Sequence, residues 1–169
     1  MAKYISNAIA GKLPPITVDG AAEVVCVRQS VAVDASLAVG DLLLFCKIPA
    51  GHEPVGGYAS STDIDTNASP VVAMTFGVLN DAGTDLVSGT DFLTASTIGA
   101  ACTLAAFNGA GGLNLVGVDA VSASDIGTQN SYVKSGDRVL AAKITTAAAT
   151  KAAGTVSVAL QYRGAVVGQ

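Results

Sequence analysis

Leu42-Leu43-Leu44-Phe45-Cys46-Lys47-Ile48 is the stretch on which the reading of this chain turns. It is almost continuously apolar and lies between Val39-Gly40-Asp41 and Pro49-Ala50-Gly51, two clusters of turn-formers. A run this short between chain breakers is too brief for a stable helix and fits a strand buried on both faces. A strand of that kind needs partners on either side, so the rest of the chain should supply more strands.

It does so in both directions. Upstream, Glu23 to Val33 (EVVCVRQSVAV) is rich in β-branched residues and partly alternates, as a half-buried strand does. Downstream, the same reading predicts strands over Val71–Leu79, Thr90–Thr97, Ala101–Phe107, Leu113–Val118, Arg138–Thr145 and Thr155–Arg163. Between them lie Asn80-Asp81-Ala82-Gly83, Asn108-Gly109-Ala110-Gly111-Gly112 and Lys134-Ser135-Gly136-Asp137, all turn chemistry. Six to nine short strands at such spacing predict an all-β fold, a sandwich or barrel. Arg138–Ile144 and Val156–Tyr162 read as antiparallel partners. Thr145 to Ala153 (TTAAATKAA) favours helix by composition but is too short to form one alone, and it is expected to be a connecting loop or a single helical turn.

The first 19 residues read differently. The pair Pro14-Pro15 removes two backbone donors and fixes φ, so this segment is expected to be extended and outside a central strand. The expected organisation is therefore an N-terminal arm over 1–19 and a β-sandwich domain over 20–169. Tyr4, Ile5, Ile9, Leu13, Pro14, Pro15 and Ile16 are the candidate residues for contact with a neighbouring subunit. The alternative is that the segment packs on its own domain.

Composition bounds the function. Of 169 residues, 13% are charged and 50% hydrophobic, with no Trp, four Phe and four Tyr. An ordinary soluble domain carries about twice that share of charge. Some apolar surface must stay exposed or be buried against another subunit, which points to assembly. The formal net charge is −4 and the nine Lys and Arg are scattered singly, so a phosphate-tracking groove is not expected. No 18-residue apolar run free of charges and turn-formers occurs, and residues 1–20 lack a signal-peptide core.

Chemistry is sparse. Cys26, Cys46 and Cys102 are too far apart for zinc and sit in apolar surroundings, where buried free thiols are expected, with a Cys26–Cys46 bridge left open. His52 lacks a nucleophile motif and is expected to be a loop or interface histidine. Asp63-Ile64-Asp65-Thr66-Asn67 begins like a calcium loop, but Ala68 and Met74 stand where Gly and Glu are needed. It is expected to be a solvated turn with Asx hydrogen bonds. No catalytic residue, metal site or cofactor is assigned.

Several segments resemble small structural proteins of tailed bacteriophages. They are Val39-Gly40-Asp41-Leu42 leading into Lys47-Ile48-Pro49-Ala50-Gly51-His52-Glu53-Pro54-Val55, then Ser61-Thr62-Asp63-Ile64-Asp65, then Phe76-Gly77-Val78-Leu79-Asn80. Gly136-Asp137-Arg138 through Gly154-Thr155-Val156 to Leu160-Gln161-Tyr162-Arg163 completes the set. The resemblance implies a capsid decoration (cement) protein with a β-sandwich or jelly-roll-like fold. Such a protein binds the assembled head from outside, stabilises contacts between major capsid subunits and self-associates as a dimer or trimer. It would be non-enzymatic, free of cofactors, nucleic acid and membrane, and assembled in the bacterial host cytoplasm. A head-fibre base or tail accessory protein that binds a host surface is the alternative.

Overall fold

A computed structural model describes residues 1–12, 24–49, 52–87, 92–96, 98–99, 104–107 and 137–164. Among them there are nine strands and no helix: β1 (Lys3–Ile5), β2 (Val24–Val33), β3 (Leu42–Ile48), β4 (His52–Ser61), β5 (Ala73–Val78), β6 (Leu93–Ser96), β7 (Ala105–Ala106), β8 (Arg138–Thr146) and β9 (Gly154–Gly164). They form a five-stranded sheet in the order β1-β3-β8-β5-β6 and a four-stranded sheet in the order β2-β9-β4-β7. The all-β sandwich expected from the sequence is the observed fold. The expected strand at Leu113–Val118, the glycine turn at 109–112 and Cys102 lie outside the described residues, as do Leu13, Pro14, Pro15 and Ile16.

β3 is buried along its length except at Lys47, as a strand covered on both faces must be. Its pairing with β8 shifts register between Leu44 and Cys46, which makes Phe45 the extra residue of a bulge. The bulge resets the alternation, so Leu43, Phe45, Cys46 and Ile48 all join the core between the sheets. Leu42 and Leu44 face the other way and form a second cluster with Ala141, against which Ile9, Leu79, Leu86 and Val139 pack. Chain segments outside the sandwich thus cover the outer face of this strand.

The central core uses the chain's phenylalanines completely. Phe45 stacks on Phe76 at 6.0 Å between ring centroids, Phe76 meets Phe107 at 5.7 Å, and Phe107 stacks on Phe92 at 5.8 Å. These four are every Phe in the sequence. Each offset pair contributes about 0.5–1.5 kcal/mol beyond its buried area. Gly57 on β4 makes room for this row. A Cβ there would lie 2.4 Å from a Phe107 ring carbon and 2.7 Å from the Ala159 carbonyl oxygen, closer than atoms can approach.

Two expectations about strands are corrected. β8 and β9 are not partners: β8 lies between β3 and β5, and β9 between β2 and β4, in different sheets. Alternation marks which side of a strand faces the core but carries no label for its neighbour. The 147–153 connection therefore crosses from one sheet to the other. The second correction is β4, which the sequence reading passed over; its two glycines, proline and serines disguise ten residues of strand.

Candidate functional site

The expected contact residues divide by burial. Tyr4 sits mid-strand in β1, which pairs parallel with β3 through Lys3↔Leu42, Tyr4↔Leu43 and Ile5↔Leu44. It packs against the central core, and its hydroxyl donates to Asp34 Oδ1 at 3.1 Å. Ile9 covers the second cluster from a turn that Ala10 N–H closes on the Ser6 carbonyl at 3.0 Å. Ser6 is buried, and its hydroxyl donates to the Phe45 carbonyl at the bulge. Ile5 faces solvent at 53% exposure, as does Met1 at 67%. The segment thus holds Tyr4 and Ile9 on its own domain and presents Ile5 outward.

The outer face of the four-stranded sheet is built of cross-strand rows of mostly small side chains. One row across it is Ser30–Ser157–Ser60, with the first two hydroxyls 2.8 Å apart. The next is Arg28–Ala159–Tyr58–Ala106, where Tyr58 is 44% exposed between small side chains. β2 forms one margin of this face, and its outward residues are Val24, Cys26, Arg28, Ser30 and Ala32.

The residues screened for chemistry serve structure. His52 opens β4 and is buried; it meets the Tyr162 ring edge-on at 5.6 Å, and its carbonyl accepts from Arg138. It is therefore a strand residue of the core margin, not a loop histidine. Burial raises the Tyr162 phenol above its ordinary range, with the neighbouring Cys46 adding to the effect. Cys46 is buried and free, and loss of solvent pushes its thiol up to about 12. Cys26 is free and exposed, contrary to the expectation of burial. It lies on the outer side of β2 while Cys46 lies between the sheets, so the two cannot bridge.

Asp65 departs furthest from its expected role. Asp63, Thr66 and Asn67 form the expected exposed turn with Asx hydrogen bonds, but Asp65 itself is a buried anchor with no exposed surface. Its Oδ2 accepts from the N–H groups of Val71 at 2.8 Å, Val72 at 3.2 Å and Ala149 at 3.0 Å. Its Oδ1 accepts from Thr150 at 2.8 Å and, more weakly, from Asn67 at 3.4 Å in the expected Asx geometry. Desolvation acts to raise this carboxyl, but the donors from Thr150, Val71, Ala149 and Val72 together outweigh it and hold the group far below the usual carboxylate range. The anchor fixes the crossing between β8 and β9. No group of three or more His, Cys, Asp or Glu side chains among the described residues could hold a metal ion.

No protein-family model matches the chain, and no curated protein matches it. Two solved structures do. A chain in the capsid of Ralstonia phage GP4 is 22% identical and superposes with a TM-score of 0.74, over 98% of this chain and 99% of that one. A chain in the capsid asymmetric unit of cyanophage Pam1 is 23% identical with a TM-score of 0.58, over 89% of this chain and 91% of that one. The two-sheet fold assembled here is thus one that occurs, at nearly the same length, in bacteriophage capsids.

Proposed function

We propose that this chain is a bacteriophage capsid protein of the decoration (cement) type, which binds the assembled head from outside and stabilises contacts between major capsid subunits. The observation that carries the reading is the end-to-end likeness to a chain in the Ralstonia phage GP4 capsid, 98% of one against 99% of the other. A likeness of that extent concerns the whole chain and not a module within it. The role is structural and not catalytic, and it needs no cofactor.

The physical properties support it. A charge content of 13% leaves wide neutral surface for contacts with other subunits. The Phe row is spent on the core, so the aromatic stacking a glycan receptor needs is scarce outside it. A protein that binds only the mature shell stabilises it by mass action, in proportion to RT ln(1 + [L]/Kd). Self-association as a dimer or trimer multiplies weak contacts on a symmetric lattice. In this reading residues 1–19 take part in the contact, and the exposure of Met1 and Ile5 supports that part of it.

The test is co-sedimentation of the purified protein with undecorated heads of its source phage. Saturable binding at a copy number related to the lattice, with heads that then survive more heat, is the expected result. No binding at any concentration would overturn the reading.

A further inference from the structure

We propose that the open edge of β2 is the seat of a second copy of this chain, paired antiparallel across a two-fold axis through Gln29. The inference deepens the self-association named above and does not depend on capsid binding.

β2 is the one long open edge among the described residues. The other edge strands are β1, β6 and β7, with three, four and two residues, whereas β2 has ten. β2 keeps one continuous register with β9 from Val24↔Arg163 to Val33↔Gly154, while β3, β4 and β5 all carry register shifts. Its other side pairs with no described strand. Proteins guard such edges with proline, a bulge, an inward charge or brevity. β2 (VVCVRQSVAV) has none of these, since its inward residues are Val25, Val27, Gln29, Val31 and Val33, and its single charge is the outward Arg28.

The occupant follows from self-complementarity. Residues opposite each other in an antiparallel pair share a face, so a two-fold that keeps both cores on one side must pass through a residue. An axis at Arg28 sets two guanidinium groups opposite one another, which is unfavourable. An axis at Gln29 sets Val27 against Val31 and Val25 against Val33 of the second copy, continuing the inner layer across the join. Arg28 then faces Ser30, Cys26 faces Ala32, and the two Gln29 amides can donate to and accept from each other. The shared strand pair, Val25 to Val33 of each copy, is about 31 Å long. β1 lies beside β2 in the other layer, tied to its C-terminal end through Tyr4 and Asp34.

The register makes a covalent test available. Ala32→Cys places a thiol opposite native Cys26 of the second copy, but about 20 Å from Cys26 of its own strand. Under oxidised glutathione, that variant should run as a covalent dimer without reductant. The wild type and the Cys26→Ser/Ala32→Cys double variant should not. Gln29→Lys should sediment as a monomer with an unchanged β-sheet circular dichroism spectrum, which separates lost pairing from lost folding. A wild type that stays monomeric at high concentration overturns the proposal. So does an oligomer that survives Gln29→Lys and forms no bridge, because another surface then holds it. Capsid binding is not read in either measurement, so failure here and failure of the decoration role are told apart.

Discussion

The carboxylate of Asp65 exchanges water for backbone N–H groups from three stretches of chain, around Asn67, Val71–Val72 and Ala149–Thr150. Removing it takes the acceptor from five N–H groups at once, of which the one on Val72 is buried. Asp65→Ala is expected to lower the urea midpoint more than alanine at any exposed aspartate of the chain, such as Asp63. The pH dependence has a definite sign. The folded-state pKa is depressed below 3.8, so the stabilisation is fully present above that value and is withdrawn as pH falls beneath it. Wild-type stability should therefore decline below about pH 4, and Asp65→Asn should be less stable at neutral pH with a shallower acid decline. Urea titrations across that range check both. A neutral-pH stability equal to wild type in Asp65→Asn would sink the argument.

Strands rather than single groups decide how the core is filled. Phe76 contacts both Phe45 and Phe107, so it links the two halves of the phenylalanine row. Phe76→Ala should cost about 3–5 kcal/mol. Gly57→Ala, which drives a methyl into Phe107, should cost about 1–3 kcal/mol, and chemical denaturation measures both. Tyr58 is the neighbouring residue on the opposite face of β4, and Tyr58→Ala should change the isolated protein by less than about 0.5 kcal/mol. β3 was legible in the sequence to the residue, because burial on both faces leaves an unbroken apolar run between turn-formers. β4 was not, because the close approach of the Phe107 ring and the Ala159 carbonyl demands glycine at 57, and glycine reads as a turn. Asp65 was hidden for a related reason: its partners are backbone groups, which have no signature in side-chain spacing. The contact role of Leu13, Pro14, Pro15 and Ile16 stays with the proposal.

For the molecule as a whole, the N-terminal segment supplies both an edge strand and a lid. β1 extends the five-stranded sheet, and Ile9 shields Leu42 and Leu44 on its outer side. Deleting residues 1–10 should destabilise the domain by about 2–4 kcal/mol, the scale of burying one or two aliphatic side chains. A dye that reports exposed apolar surface should bind the truncated protein and not the full chain. Equal stability of the two forms would instead assign the segment wholly to a partner.

The strand order carries a consequence for synthesis. Among the described residues, consecutive strands change sheet at every step except β5 to β6, and the two latest, β8 and β9, occupy interior places between strands made much earlier. While residues before 138 are leaving the ribosome, β3 has no β8 beside it, and β2 and β4 have no β9 to join them. Neither sheet can close on a nascent chain, so folding waits for translation of these last two strands. A product terminated before residue 138 therefore lacks the strand that joins β3 to β5 and the strand that joins β2 to β4.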